Sequence, residues 1–312
     1  MTRTSTMHAK KTRRIVKSRR YLLKKKVTYF VVAISVVALT SFLIYYALSP
    51  KNPVDVSPKI AIVDQLSTQW PNQSFNQTIQ TILNQTGLKV DYYPSEAVTV
   101  DFYRDLPKHN YKLIIFRAHS SGTSAVSGTP SFVVFFTSEL FNSYAHVPEQ
   151  TDMRVVMVMF PHVEARYFGV TPLFVKDSME GRFNDTLIVA MGCEGLTNTS
   201  MAEAFIQKGA KAYISWNGSV SSSHTDEATV SLLTHLITEK QTVEEAVTQT
   251  MNEVGPDPTD KSILLFYPDG AGSSLFLANV TVTAPAVTPA KRKDNRAKGN
   301  SGTTLVPPIS TF

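Results

Sequence analysis

Residues 187–216, LIVAMGCEGLTNTSMAEAFIQKGAKAYISW, decide the fold. They comprise an apolar run over 187–192, a helical pattern over 200–208 and a second apolar run over 212–216. Strand-length runs that alternate with helices are typical of an α/β domain built on a mainly parallel sheet. This stretch therefore predicts two strands of such a sheet with a helix between them.

The same alternation extends to both sides of that stretch. Further strands are predicted at 59–66, 89–93 and 112–118, and further helices at 72–86, 99–106, 172–180, 225–239 and 242–254. Two runs, 132–137 and 153–160, have no predicted helix between them and favour a small hairpin or minor sheet. A final hairpin is predicted from 263–267 and 274–280, joined by a turn rich in Pro and Gly.

Charge is divided unevenly along the chain. Residues 1–26 carry a net +11, residues 50–283 a net −9 and residues 284–312 a net +4, within a formal total of +6. Because the body is acidic, we do not expect it to bind nucleic acid. The one cysteine, Cys193, excludes an internal disulfide and a cysteine-rich zinc site. We expect neither a metal nor a cofactor.

An uncharged apolar run of 23 residues spans 27–49, long enough as a helix for the ~30 Å hydrocarbon layer. We interpret it as a retained signal anchor, since the apolar part of a cleaved signal has about 7 to 15 residues. Its basic flank predicts a cytoplasmic N-terminus. The predicted organisation is a basic cytoplasmic segment (1–26), a transmembrane helix (27–49), a linker (50–58), an extracytoplasmic domain (59–282) and a disordered basic tail (283–312), in a single-pass cell-membrane protein.

Seven asparagines open an N-x-Ser/Thr sequon, more than chance gives. Sequons accept N-linked glycans on proteins exposed outside the cell. An outside domain with many sequons and no disulfide is typical of an archaeal surface glycoprotein. The candidate sites are Asn72, Asn76, Asn84, Asn184, Asn198, Asn217 and Asn279.

His119 and Cys193 each follow an apolar strand, KLIIFRA and LIVAMG respectively. Loops after the carboxyl ends of parallel strands line the ligand crevice of such sheets. On neighbouring strands, a thiolate and an imidazole would converge, one to attack a carbonyl carbon and the other to protonate the leaving amine. Taken singly, a cysteine in an apolar stretch is more often a small buried hydrophobe, and a histidine is more often a hydrogen-bonded structural residue. His224 is an alternative base, and Glu194 either orients the pair or faces solvent.

Residues 187–248, with KLIIFRAHSSG upstream, resemble caspase-like cysteine peptidases of the CHAT, separase and gingipain kind (clan CD). The likeness lies in a strand that ends in a small residue and Cys, a following Glu, a helix, a KGA turn, a strand ending near Trp and a helix that begins in an acidic stretch. The resemblance covers roughly residues 59–280. It implies a caspase-like three-layer α/β/α domain, here preceded by one transmembrane helix, with Cys193 as nucleophile and His119 as general acid/base.

This sequence departs from those families directly after the histidine. They commonly have Gly there, whereas Ser120 and Ser121 precede Gly122 in this chain. The resemblance implies an oxyanion hole made by the backbone N–H of Cys193 and that of Ser120 or Gly122. A residue that cannot adopt the required backbone angles would weaken catalysis.

The resemblance also makes Trp216, Asp226 and Glu227 candidates for the substrate pocket. A carboxylate there would favour substrates with Arg or Lys by charge pairing. We favour a structural explanation for the acidic pair, in which Thr225 is a helix N-cap and the two carboxylates lie in the first turn.

The sequence thus predicts a membrane-anchored, extracytoplasmic cysteine endopeptidase that acts on a peptide or protein substrate. A rival class is a catalytically inactive binding or interaction domain of the same fold at the cell surface. A third is a ligand-binding α/β receptor with a large apolar pocket and no such pair. No pattern in the sequence indicates an oligomeric state.

Overall fold

The computed structural model describes residues 29–42, 57–123, 131–160 and 163–274. The chain divides into two compact units at the junction of Ser57 and Pro58. The first unit contains helix α1 (29–42), whose side chains are exposed. The second unit contains all the strands described below. The predicted segments 1–26 and 283–312 lie outside the described residues, as does 275–280 of the predicted final hairpin.

The predicted membrane-spanning helix is not found, and the predicted fold class is wrong in this respect. Among the described residues, no helix is both long enough and apolar enough to cross a bilayer. Helix α1 covers 14 residues of the predicted span. Residues 27–28 and 43–49 lie outside the described ranges.

Ten strands are present in the described part of the second unit. They are β1 (Lys59–Asp64), β2 (Lys89–Pro94), β3 (Tyr111–Arg117), β4 (Ser120–Gly122), β5 (Val133–Leu140), β6 (Val155–Met159), β7 (Arg166–Val170), β8 (Thr186–Ala190), β9 (Ala210–Trp216) and β10 (Leu264–Tyr267). The main sheet has the order β10-β9-β8-β3-β1-β2. Its strands are parallel except β10, which runs antiparallel to β9.

The predicted fold class therefore needs a second correction, since the architecture is mixed α/β with a mixed main sheet. A separate antiparallel sheet has the order β4-β5-β7-β6. The two runs predicted as a small hairpin or minor sheet are β5 and β6. Both belong to this sheet, but β7 lies between them, so they do not form a hairpin with each other. Strand β7 was missed because Arg166 and Gly169 interrupt its apolar character, and Gly weakens a strand pattern.

Six helices occupy the described part of the second unit: α2 (Gln73–Asn84), α3 (Val100–Asp105), α4 (Val147–Thr151), α5 (Ser200–Gln207), α6 (Ser222–Leu233) and α7 (Val243–Glu253). Two π-helical turns, Phe174–Ser178 and Thr234–Thr238, occur within the predicted helices 172–180 and 225–239. Helix α6 begins three residues earlier than predicted, with Ser221 at the N-cap. The prediction that Thr225 caps this helix is therefore wrong.

The four central strands of the main sheet, β1, β3, β8 and β9, are buried on both faces because they are apolar at nearly every position. Along β3, Ile114 and Phe116 face a cluster that includes Phe205 of α5. Leu113 and Ile115 face the opposite cluster, to which α2, α6 and α7 contribute. Side chains alternate along a strand, so continuous apolar runs such as β3 and β8 are suited to burial on both faces. The carboxyl ends of these strands are held in place by this core.

A buried ion-pair network lies at the carboxyl ends of β1 and β3. Asp64 and Arg117 end these two strands and are register partners. The Arg117 guanidinium donates to Asp64 Oδ1 at 2.9 Å, to both carboxylate oxygens of Asp226 at 2.8 and 3.0 Å, and to the Trp70 carbonyl at 2.9 Å. Arg117 is 1 % exposed and Asp64 fully buried. The network joins two strands, the loop after β1 and helix α6.

Replacing Arg117 should destabilise the fold strongly, since it would leave two buried carboxylates without their counter-ion. Breaking one side of a buried pair costs about 3–5 kcal/mol, so we expect Arg117→Ala and Arg117→Met to lower the free energy of unfolding by that amount. Lys108→Ala is the matched control because Lys108 pairs with Asp105 and Glu180 at an exposed position, where an ion pair contributes little to stability. Denaturant titration measures both, and a loss under about 1 kcal/mol for both Arg117 variants would contradict the proposed role.

Candidate active site

His119 and Cys193 follow adjacent parallel strands at equivalent positions. Strands β3 and β8 are neighbours, and Phe116 is the register partner of Ala190. Each candidate residue comes three positions after its member of that pair. Two hydrogen bonds join the segments, from Met191 N–H to the Phe116 carbonyl at 2.9 Å and from the Ser120 hydroxyl to the Cys193 carbonyl at 2.6 Å. The two predicted residues are thus presented at the same edge of the main sheet.

Gly192 allows the two segments to approach this closely. A Cβ atom at this position would meet the Ala118 carbonyl oxygen and lie 2.9 Å from Ser120 N. Any side chain here would therefore force the backbones apart, since real Cβ atoms are not found that close to such atoms. The small residue before the cysteine in the predicted motif is explained by this contact.

His119 lies in a largely aromatic environment. Its ring centroid is 4.9 Å from that of Trp70, 5.0 Å from Phe160 and 5.8 Å from Phe136. Its Nε2 atom is buried and has no hydrogen-bond partner. Burial lowers the pKa of the imidazole to about 4 because a buried site disfavours the charged form. The ring is therefore neutral at pH 7.

Cys193 is half-buried and interacts with the loop after β9. Its Sγ lies 3.4 Å from the Val220 N–H, which donates to it, and 3.5 Å from the Val220 carbonyl oxygen. Burial raises the pKa of the thiol, and the nearby carboxylates of Glu194, Asp260 and Asp257 raise it further, outweighing the hydrogen bond from Val220. The thiol is therefore protonated at neutral pH.

His119 and Cys193 do not form a hydrogen-bonded ion pair in this structure. The sulfur of Cys193 is hydrogen-bonded to the backbone of Val220, and Nε2 of the imidazole has no hydrogen-bond partner. Both groups are uncharged at pH 7, given the directions of their pKa shifts. Proton transfer between them would have to accompany attack on a substrate, because no thiolate exists beforehand.

Of the candidate oxyanion-hole donors, Gly122 is already occupied. Its N–H donates to Glu194 Oε2 at 2.6 Å, and the Ser121 hydroxyl donates to the same oxygen at 3.3 Å. Ser120 uses its hydroxyl to bind the Cys193 carbonyl. The alternative that Glu194 merely faces solvent is therefore wrong.

The three substrate-pocket candidates have different surroundings. Trp216 is buried and donates through Nε1 to Thr225 Oγ1 at 3.0 Å. Asp226 is buried and its charge is balanced by Arg117. Glu227 is exposed and lines a groove of about 350 Å³ with Asn72, Ser74, Phe75, Thr78, Ser223, Asp226 and Val230. Of the two carboxylates, Glu227 alone has its charge on the surface.

His224, the alternative base, is engaged elsewhere. Its Nε2 is bonded to the Gly255 carbonyl at 3.0 Å, and that contact requires Nε2 to carry a proton. Across the described ranges, no group of three or more His, Cys, Asp or Glu side chains is arranged to hold a metal ion.

Several residues around the candidate pair were missed by sequence analysis. Gln65 accepts from the His119 N–H at 3.1 Å, and Trp70 packs its ring against the imidazole. Both lie in the loop after β1, and strand β1 is a neighbour of β3 in the main sheet. The position of this loop after a parallel strand was the available signal, since such loops line the crevice.

Asp257 anchors the loop that contacts the thiol. It is fully buried and accepts from the N–H and hydroxyl of Ser221 at 3.0 and 3.1 Å, and from the Thr259 and Asp260 N–H groups at 2.9 Å. Burial by itself would raise the pKa of this carboxyl, but these hydrogen bonds prevail and lower it to about 2. This role could not be predicted from the sequence, because Asp257 is 36 positions away from Ser221 along the chain.

The sequons differ in whether their amide nitrogen, the atom that carries a glycan, is available. Asn72 donates through Nδ2 to Asp226 and Asn76 to Asp64, and Asn198 Nδ2 is buried. Asn84, Asn184 and Asn217 are exposed, but Nδ2 of Asn184 also donates a hydrogen bond, to Asn110 Oδ1 at 3.2 Å. Asn279 lies outside the described residues.

The pH dependence of Cys193 alkylation should reveal a neutral resting pair. We expect the rate with iodoacetamide to keep rising beyond pH 8.5, the ordinary thiol pKa, and His119→Ala to leave this profile unchanged. Because Cys193 is the single cysteine, the modified fraction can be measured by mass spectrometry of the intact chain. A plateau of fast alkylation between pH 5 and 7 that disappears in His119→Ala would contradict the neutral pair.

Asp257 should make the fold sensitive to acid. Its pKa is lowered in the folded state. The contribution of the ionised carboxylate to the stability of the fold is therefore present above the ordinary Asp pKa of about 4 and is lost as the pH falls toward 2. Asp257→Asn should lower the free energy of unfolding by about 1–3 kcal/mol at pH 7. The difference in this free energy between the variant and the parent protein should shrink as the pH falls over that acid range. Asp269→Asn is the control, because Asp269 is exposed. If Asp257→Asn lowered the free energy of unfolding equally at pH 7 and pH 2.5, this role of Asp257 would be contradicted.

Neither a protein-family model nor a curated protein matches the chain. The likeness to caspase-like peptidases consequently rests on the sequence motifs around His119 and Cys193.

Proposed function

We propose that the chain is a cysteine peptidase of the caspase-like kind, with Cys193 as nucleophile and His119 as general acid/base. One observation carries the proposal: the two residues follow adjacent parallel strands at equivalent positions, three residues beyond the register pair Phe116 and Ala190. Ligands of parallel sheets bind at this edge. The substrate would be a peptide or protein whose scissile bond lies between thiol and imidazole.

The chemistry starts from neutral groups. As Cys193 Sγ bonds to the carbonyl carbon, the thiol proton passes to the imidazole, and the carbonyl oxygen takes up negative charge. The imidazolium then gives this proton to the leaving amine as the C–N bond breaks, which leaves a thioester. A water molecule gives its proton to His119 and attacks the thioester, and the departing sulfur receives that proton, so both side chains return to their starting states.

Specificity is proposed to depend on Glu227 more than on Asp226. The Asp226 carboxylate is bound by Arg117 and Asn72, so a basic substrate side chain would have to compete with a buried guanidinium. Glu227 is exposed beside the groove and is free of that competition. A preference for Arg or Lys would therefore be modest, since exposed charge pairs contribute about 1 kcal/mol or less.

A second candidate function is a catalytically inactive binding or interaction domain, and specific observations favour it. The imidazole is neutral with an unpartnered Nε2, the thiol is held by Val220, and Gly122 N–H is occupied by Glu194. In a domain that only binds partners, these contacts would be permanent. In a peptidase, the substrate has to bring the thiol and imidazole into contact.

The two functions are separated by offering the purified full chain a mixture of peptides with varied residues around the cleavage point. We expect cleavage by the parent protein and a loss of at least about 100-fold in Cys193→Ala and in His119→Ala, as removal of acid–base assistance contributes about 100- to 10,000-fold. His109→Ala is the matched control, because His109 lies two residues before the start of β3, at the opposite edge of the sheet.

The pH profile adds an independent criterion. Since burial lowers the pKa of His119 to about 4, kcat/KM should fall as the pH drops through about 4, where the imidazole becomes protonated and cannot accept the thiol proton. If the parent protein and Cys193→Ala behave alike, the peptidase proposal fails and the interaction domain stands.

A further inference from the structure

The edge of β4 presents two backbone N–H groups toward the cysteine loop. On the side facing β5, the Phe136 N–H donates to the His119 carbonyl and the Thr123 N–H to the Phe132 carbonyl. Antiparallel strands direct the N–H groups of alternate residues to opposite sides. Those of Ser120 and Gly122 therefore point away from β5, toward Gly192, Cys193 and Glu194. Of these two donors, Gly122 N–H is bound by Glu194 Oε2 at 2.6 Å.

Glu194 connects the loops that follow three strands of the main sheet. Its carboxylate accepts from Gly122 and Ser121, in the segment after β3. Its own N–H donates to the Gly218 carbonyl at 2.8 Å, in the loop after β9. The residue itself lies in the loop after β8, directly after the nucleophile. A change in its side chain would therefore be transmitted to both sides of the proposed site.

The backbone of Glu194 is strained. Its φ is +60°, a left-handed conformation uncommon for residues other than glycine and favoured among them by Asn and Asp. Such conformations are energetically unfavourable and persist where surrounding contacts hold them, often at functional sites. Here the contacts are the hydrogen bonds of Gly122 and Ser121 to the carboxylate and of the Glu194 N–H to Gly218.

We propose that Glu194 is a positioning residue, which clamps β4 to the cysteine loop and reserves the Ser120 N–H, with that of Cys193, for the substrate's carbonyl oxygen. This inference rests on the proposed peptidase function and deepens it, because it selects Ser120 over Gly122 as the second oxyanion-hole donor. A carboxylate bound to Gly122 excludes a second anion from that N–H. By fixing Gly122, it also fixes the neighbouring donor two residues away on the same strand edge.

The test compares Glu194→Ala and Glu194→Gln in the full chain, with Glu203→Ala as control. Glu203 is exposed, and its side chain accepts a hydrogen bond from the Thr199 hydroxyl and not from β4. Loss of the clamp should lower kcat about 10- to 100-fold, in keeping with the sensitivity of catalysis to misplaced groups, and leave KM within about threefold. Glu194→Gln should retain kcat within about fivefold, because its amide oxygen can still accept from Gly122.

Hydrogen exchange of the Gly122 amide, followed by NMR, gives a readout that does not need turnover. We expect exchange to be at least about tenfold faster in Glu194→Ala than in the parent chain and unchanged in Glu194→Gln and Glu203→Ala, since a broken hydrogen bond exposes the amide. If no peptide is cleaved by the parent protein, the peptidase function fails, and this exchange rate alone decides whether the clamp exists.

Three results would overturn the inference. Unchanged Gly122 exchange in Glu194→Ala would show that the clamp is absent. A kcat that rises in Glu194→Ala would show that the carboxylate blocks the site. Equal losses of kcat in Glu194→Ala and Glu194→Gln would show that the charge matters and the hydrogen bond does not.

Discussion

The guanidinium group of Arg117 is the interaction on which the arrangement of the carboxyl edge depends. It is buried between Asp64 and Asp226 and also binds the Trp70 carbonyl, so it fixes β1, β3, helix α6 and the loop after β1 relative to one another. A buried charge is tolerated only when it is paired and hydrogen-bonded. The three charged groups therefore constrain each other's positions, and the segment that leads from Arg117 to His119 starts from a fixed point.

From this point outward, each loop at the edge is held by a polar contact with the next. Gln65 binds the His119 N–H, Ser120 binds the Cys193 carbonyl, and Asp257 holds Ser221 beside Val220, which contacts the thiol. Gly192 permits the closest approach of these backbones. The same constraint has a chemical consequence, because a compact and partly aromatic site keeps both the imidazole and the thiol uncharged. The proposed catalysis consequently depends on proton transfer during attack and on backbone donors at the oxyanion.

Sequence patterns predicted most elements of the second unit, because the central strands β1, β3, β8 and β9 are apolar runs of strand length, but they missed β4, β7 and α4. They also identified the ends of β3 and β8 as the place for His119 and Cys193. What they could not predict depends on contacts between distant residues. Thr225 was expected at a helix N-cap but lies inside α6, where its hydroxyl donates to the Met191 carbonyl. Asp226 was considered for a substrate pocket but neutralises an arginine more than a hundred positions away. Hydropathy also predicted a membrane-spanning helix at 27–49, whereas no helix among the described residues is long and apolar enough to cross a bilayer.

The account depends most on the claim that His119, Cys193 and the Ser120 N–H act on one substrate carbonyl group. A crystal structure of the full chain after reaction with a peptide aldehyde tests this directly, since the aldehyde carbon bonds to sulfur and its oxygen takes the place of the oxyanion. The account predicts a covalent bond to Cys193 Sγ, with that oxygen about 2.7–3.1 Å from the Ser120 nitrogen and the imidazole of His119 within hydrogen-bond distance of the adduct. An adduct whose oxygen is bound by neither Ser120 nor His119, or the absence of any adduct at Cys193, would contradict it.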